Sequence, residues 1–304
     1  MAYIDSVKDS VVLQTPSIGG KSIPSNVTET VLCGNLQCTG GWLQRWKNRT
    51  RPYFEGQWAC SRNCLSQLVT QAVRREVGSS IAGDEFSPHN HRIPLGLVLM
   101  AQGIITPVQL QQALQRQRQR GHGRIGDCLM EAANLSEGQI TRAMGAQWNC
   151  PMLTLEGFSP ERMARLAPQA VLEESGMLPV RVAGGKALYL AFEAELNPAA
   201  ALALEQMTDL HVHSGLLPSS QYQAARKRLV ECKGIATNEE TVEDQDSLVK
   251  AMVSVIEKQQ PVASRLVRVG RLYWMRLWLE GHAVSCVPGE SAEDVLDCVW
   301  RIHP

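Results

Sequence analysis

The sequence predicts an α+β protein built from several parts, and three observations carry that expectation. Two close cysteine pairs lie before residue 65, residues 94–147 match themselves at an offset of thirty, and short β-type runs alternate with helical ones after residue 178. The expected order is an N-terminal four-cysteine zinc-binding module, a duplicated helix-turn-helix repeat, a small α/β domain with a short mixed sheet, and a C-terminal α+β tail. At 304 residues the chain is long for one core, so two or three domains are expected.

The totals describe an ordinary globular protein, with 44% hydrophobic and 20% charged residues. The formal net charge is zero, so no global field gathers nucleic acid or an anionic membrane, and such a partner needs a local patch. No apolar run reaches bilayer length, which argues against membrane insertion. The start, Met1-Ala2-Tyr3-Ile4-Asp5, has no apolar core of the kind a secretory signal needs. The expected location is therefore the cytoplasm, where thiols stay reduced.

Residues 1–30 are rich in Ser, Thr, Gly and Pro without a period, and read as a flexible leader. Residues 31–78 form a Cys- and Trp-rich module ending in a helix over 65–76. Cys33 and Cys38, then Cys60 and Cys64, make two knuckles whose four thiolates suit tetrahedral zinc in a zinc-ribbon-like module. So small a segment buries little core, and a metal supplies about 10–16 kcal/mol in peptide-sized zinc folds. Two disulfides, or four unrelated buried thiols, are the other readings. Cys128, Cys150, Cys232, Cys286 and Cys298 are scattered and read as small core residues.

Between the pairs lies Trp42-Leu43-Gln44-Arg45-Trp46-Lys47-Asn48-Arg49-Thr50-Arg51, cationic and aromatic with no acid. It fits nucleic acid through phosphates and stacking, or a solvated hairpin whose tryptophans cover the metal site. The zero net charge favours the hairpin. Residues 79–93 are a polar linker.

The repeat occupies 94–150. Leu95-Gly96 aligns with Ile125-Gly126, Leu99-Met100 with Leu129-Met130, and Thr106, Gln109, Leu110, Ala113, Leu114 and Gln117 with Ser136, Gln139, Ile140, Ala143, Met144 and Gln147. Thr106-Pro107-Val108-Gln109 and Ser136-Glu137-Gly138-Gln139 are capping boxes, each opening a helix with an apolar stripe. A shorter glycine-opened helix precedes each box, and each copy needs the other to bury its stripe. The glycine-opened helix starts present bare N–H groups to anions, with Arg124 adding a bidentate contact. The spacing alone favours the plainer reading, in which Gly96 and Gly126 serve close helix packing.

After the repeat, 151–232 read as a small α/β subdomain. It has strands over 178–182, 187–192 and 210–216 and helices over 198–207 and 219–230. Residues 233–247, acidic and polar, read as a second linker. The tail, 248–304, reads as helix, two strands joined near Gly270-Arg271, and a last helix over 291–302. Its sequence leaves open which domain it packs on.

Residues 88–232 resemble the N-terminal domain of type II secretion and type IV pilus assembly ATPases, of the MshEN type. The duplicated motif of that family reads Arg-Leu-Gly, a later Gly, then Leu, Leu and Gln. Here its second copy is Arg124-Ile125-Gly126, Ile140, Met144 and Gln147, and its first Pro94-Leu95-Gly96, Gly103, Leu110, Leu114 and Gln117. Cys150-Pro151-Met152-Leu153-Thr154-Leu155, Leu178-Pro179-Val180 and Leu188-Tyr189-Leu190-Ala191-Phe192 continue the resemblance. The chain departs from the motif at Pro94, where Arg is expected with Arg92 nearby out of register, and at Ala133, where Gly is expected. It also has Ile140 and Met144 for Leu and a slightly long spacer, 118–123.

The resemblance implies cyclic-di-GMP as ligand and a secretion or pilus machinery protein as partner. Gly96 and Gly126 would lend backbone N–H groups, and Arg124 would read guanine or phosphate. Leu95, Ile125, Leu110, Ile140, Leu114 and Met144 would form an apolar floor, and Gln117 and Gln147 its polar edge. The residues beyond the module are too few for the motor domain of those ATPases.

Nothing specific points to catalysis. Thr15-Pro16-Ser17-Ile18-Gly19-Gly20-Lys21-Ser22 lacks the first glycine of a phosphate loop, and Pro24 blocks the helix such a loop needs. His89 and His91, and His211 and His213, lack an acidic partner at metal-ligand spacing. The sequence-level expectation is a non-catalytic regulator or adaptor. Its alternatives are a protein scaffold with a ligand-free repeat, or a zinc-dependent nucleic-acid binder.

Overall fold

The computed structural model describes residues 33–39, 52–85, 92–281, 284 and 293–303. The leader, the stretch 42–51, His89, His91 and Cys286 lie outside the described residues.

The cysteine module is a knuckle, a hairpin and a helix. Strands β1 (Tyr53–Phe54) and β2 (Gln57–Trp58) pair antiparallel. Their two-residue turn, Glu55-Gly56, takes the left-handed backbone (φ 43° and 82°) that tight hairpins require. Helix α1, Arg62–Glu85, begins just after Cys60. It runs past the expected end at 76 and into the expected linker. Cys64 sits in the first turn of this helix. Leu65, Leu68, Val69, Ala72 and Val73 recur at helical spacing and are buried.

The repeat folds as four helices, α2 (Leu95–Ala101), α3 (Pro107–Arg120), α4 (Ile125–Ala133) and α5 (Glu137–Trp148). Both capping boxes form: Thr106 Oγ accepts from Gln109 N–H, and Ser136 Oγ from Gln139 N–H, each at 3.3 Å. Helix α2 packs on α5 and α3 on α4, so each copy lends its short helix to the long helix of the other. The shared core holds Leu99 with Leu129 and Ala113 with Ala143, pairs related by the sequence repeat.

Two short helices follow, α6 (Pro160–Met163) and α7 (Gln169–Ser175). Strands β3 (Leu178–Ala183), β4 (Ala187–Phe192) and β5 (His211–Leu216) then form a mixed sheet in the order β3-β4-β5, with β4 and β5 parallel. Helices α8 (Pro198–Thr208) and α9 (Ser219–Val230) flank β5 in sequence, as the apolar spacing predicts.

The tail departs most from expectation. Residues 236–242, read as part of an acidic linker, are strand β6 (Ala236–Val242). Only Val242 of it is buried, as suits an edge strand with little to cover. Helix α10 (Gln245–Gln259) follows, then β7 (Ala263–Val269) and β8 (Leu272–Trp278). The expected last helix is strand β9 (Val295–Ile302). A short apolar run fits either period, and here pairing with β8 and β6 decides it.

The resulting sheet has the order β6-β9-β8-β7 and joins the molecule together. One face sends Val267, Val269, Leu272, Trp274 and Val299 into the core of the central α/β domain. The other sends Leu266, Tyr273, Met275, Leu277, Cys298 and Trp300 against α1 and α10. Within the sheet, Arg276 and Asp297 form a buried bidentate pair (Nε–Oδ1 2.8 Å, Nη2–Oδ2 2.7 Å), with Trp274 Nε1 also donating to Asp297 Oδ1 at 2.9 Å. Arg276 Nη2 reaches the Leu166 carbonyl at 3.1 Å, tying the tail to the central domain. Among the described residues no helix is long and apolar enough to cross a membrane.

Candidate ligand site and metal centre

The two glycines predicted to open the ligand site occupy the second position of α2 and α4, and both are buried. A Cβ on Gly96 would collide with the Leu110 side chain, and one on Gly126 would come 3.3 Å from Ile140 Cγ2. The same contact therefore occurs in both copies, and close packing is a role these glycines demonstrably fill. Leu95, Ile125, Leu110 and Met144 are half-buried and Ile140 is buried, all against the repeat core. Leu114, the counterpart of Met144, stays 38% exposed and leaves an apolar side chain on the surface.

Gln117 and Gln147 bond to the backbone. Gln117 Nε2 donates to the Gly123 carbonyl at 3.1 Å, and Gln147 Nε2 to the Ile93 carbonyl at 2.7 Å. Each clasps the strand of chain leading into the short helix of the other copy.

Arg124 takes the N-cap position of α4 with its side chain 62% exposed. Its Nη1 lies 2.9 Å from Glu193 Oε1. Glu193 also accepts from Ser219 Oγ at 2.7 Å and Gln223 Nε2 at 2.9 Å, so it links the repeat to the start of α9. At the first copy Pro94 occupies the N-cap of α2, and Arg92 places its guanidinium over the Trp148 ring instead. Neither Glu193 nor the Arg92–Trp148 stack was read from the sequence. Both depend on contacts between distant segments, and no local motif marks them.

The four expected metal ligands do come together. The Sγ atoms of Cys33, Cys38, Cys60 and Cys64 all lie within 4.8 Å of one another. Cys38 and Cys60 Sγ are 3.3 Å apart, and Cys60 and Cys64 Sγ 3.6 Å, far beyond a disulfide bond. All eight described cysteines are free thiols. Tetrahedral zinc with bonds of about 2.3 Å sets sulfurs about 3.8 Å apart, which these distances approach.

The knuckle is shaped by Asn35. It accepts the Gln37 N–H at its Oδ1 (3.1 Å), donates to Cys64 Sγ (3.4 Å), and bonds Gln67. Burial would raise the Cys64 thiol, but hydrogen bonds from Asn35 and Ser61 outweigh it and hold the group down at about 7. Burial, with bonding to Cys38, pushes Cys60 up to about 12. A thiolate is thus favoured at Cys64, in the first turn of α1, where a helix dipole helps it.

His211 and His213 lie on β5 without forming a metal site. His211 Nδ1 is 3.4 Å from Glu205, and the His213 ring lies beside Tyr189 with centroids 5.5 Å apart.

Fold and site together define a duplicated helical repeat with a small α/β domain, flanked by a cysteine module and a tail that share a core. The chain matches no protein-family model. Over 120 residues, 38% of this chain, it is 31% identical to the type IV pilus assembly ATPase PilB of Thermus thermophilus. That match spans only 13% of the length of the relative. Among solved structures, it is similar to MshE with cdg, at 26% identity and a TM-score of 0.37, over 45% of this chain and 99% of that one. It is also similar to the N-terminal domain of XpsE, at 17% identity and a TM-score of 0.31, over 44% and 92%.

Proposed function

We propose that this chain is a non-catalytic regulatory or adaptor protein. In this reading its repeat binds cyclic-di-GMP, its cysteine cluster holds a structural zinc ion, and its partner is a cytoplasmic component of a secretion or pilus machine. The observation that carries the ligand reading is Arg124: a guanidinium 62% exposed, paired on one side with Glu193, directly ahead of the Ile125-Gly126 helix start in the copy that keeps the arginine of the motif. A planar guanidinium can pair bidentately with phosphate or guanine and can stack on a base.

The first two N–H groups of α4, at Ile125 and Gly126, have no acceptor within the helix, as at any helix start. Asp127 already places a negative charge in that first turn. The attraction for a phosphate must therefore come chiefly from Arg124. Exposed Leu114, with half-buried Leu95 and Ile125, offers apolar surface to a base.

The test is calorimetric titration of the full chain with cyclic-di-GMP, beside Arg124→Ala. Loss of the guanidinium should weaken binding roughly 10–100-fold, as for a charge-assisted hydrogen bond. A flat titration of the unmodified chain would remove the ligand reading. The packing of Gly96 on Leu110 and the presence of Pro94 favour a second reading, a protein-binding scaffold without nucleotide. That reading expects Arg124→Ala to leave partner capture intact.

A further inference from the structure

We infer that the cysteine module is a metal-dependent cover for the open edge of the C-terminal sheet. This rests on the zinc reading above. Strand β7 ends the sheet on one side. In an antiparallel pair, alternate N–H groups point away from the partner strand, and an uncovered row of them recruits other strands.

Here that row is occupied. The Leu266 N–H donates to Glu55 Oε1 at 3.0 Å, and the Arg268 N–H to Glu76 Oε2 at 3.1 Å. Arg75 Nη2 donates to the Leu266 carbonyl at 3.3 Å, and the Glu55 N–H to Ser264 Oγ at 3.0 Å. Arg75 holds both acids in place, by Nη1–Oε2 2.8 Å and Nη2–Oε1 3.0 Å to Glu55 and Nε–Oε1 2.9 Å to Glu76. Three side chains thus supply the acceptors and donor that a neighbouring strand would supply.

Glu55 is the one that the cysteine cluster positions most directly, and through Arg75 it orients Glu76. Glu55 is the turn of a hairpin of only two residue pairs, lying between Cys38 and Cys60. The knuckle is tied to that hairpin by Gly34 N–H to the Trp58 carbonyl at 2.8 Å. Arg75 and Glu76 stand on α1, whose first turn carries Cys64. A metal joining the four sulfurs fixes hairpin against helix, adding to the Arg75–Glu55 bonds and to the burial of Phe54 and Ala59, the two residues buried between 52 and 60. A cleft of about 350 Å3, lined by Ala199, Leu202 and Gln206 of α8, runs beside the same edge.

The experiment is hydrogen exchange on the full chain, following the Leu266 and Arg268 amides. It compares zinc-loaded protein, protein stripped by a chelator in reducing buffer, and stripped protein given zinc again. Stripping should speed exchange at both amides roughly tenfold or more, the ratio that a lost charge-assisted bond carries. Zinc should reverse it, and the β8 amides should stay protected.

A Glu55→Ala, Glu76→Ala double variant isolates the cover from the metal. It should retain zinc and show the same acceleration, which decides the matter should stripping unfold more of the chain. Unchanged exchange at Leu266 and Arg268 in that zinc-loaded variant would overturn the inference. Failure of the metal reading would be seen separately, as no zinc in the purified chain and no thiolate absorption with Co2+.

Discussion

Gln117 and Gln147 make the same bond in opposite directions: each donates its side-chain amide to a backbone carbonyl thirty positions from the one its counterpart uses, Gly123 and Ile93. The two copies are thereby clasped reciprocally, in addition to the exchange of short helices between them. Each glutamine is half-buried, so a net contribution of about 0.5–1.5 kcal/mol is expected from each bond. Gln117→Ala and Gln147→Ala should each lower the unfolding free energy by about that amount. Denaturant melts of the single and double variants check this, with the midpoint falling at each step.

Arg124→Ala should leave the fold nearly untouched while abolishing most ligand affinity. Its ion pair with Glu193 is solvent-exposed on the arginine side, and such pairs are worth about 0–1 kcal/mol. Thermal melts of the variant should match the parent within that margin. A large loss of stability would show that Arg124 serves the junction with α9 instead.

The Arg276–Asp297 pair should behave oppositely. Asp297 is fully buried and accepts from Arg276 and Trp274 at once. Asp297→Ala strands a buried guanidinium, and a loss of about 3–5 kcal/mol is expected. Equilibrium unfolding in urea reads it directly. A change under about 1 kcal/mol would mean that water reaches the site.

Asp244 gives a pH prediction. Its Oδ1 accepts the Ser247 N–H at 2.7 Å at the start of α10, which holds its carboxyl below the usual range. A folded pKa below the unfolded one stabilises above the unfolded value and is lost as pH falls through the folded one. The parent should therefore lose stability on acidification more steeply than Asp244→Asn, whose cap carries no charge to titrate. Melting temperatures of the two across the acid range make the comparison.

Much of this architecture was legible in the sequence, for reasons that are local. Capping boxes at Thr106 and Ser136 and apolar spacing along Leu110, Ala113, Ile140 and Ala143 specify the repeat without reference to anything distant. The four cysteines were legible as a set because residue type alone announces the chemistry. Edges and junctions were not legible. Strand β6 is polar because it lies at a sheet edge, and β9 is a strand because β6 and β8 receive it. No local pattern marks Glu55, Glu76 or Glu193, whose roles come from the distant Leu266, Arg268 and Arg124 that the fold brings to them. Nothing in the sequence assigns the tail to one neighbour, and its sheet packs on both because its two faces are both apolar.

The measurement closest to the central claim is calorimetric titration of the full chain with cyclic-di-GMP. The account predicts saturable heat with a dissociation constant of about 10 μM or tighter, equivalent to about −7 kcal/mol, and its loss in Arg124→Ala. Absence of heat from the folded parent chain, or equal binding by parent and variant, would contradict it.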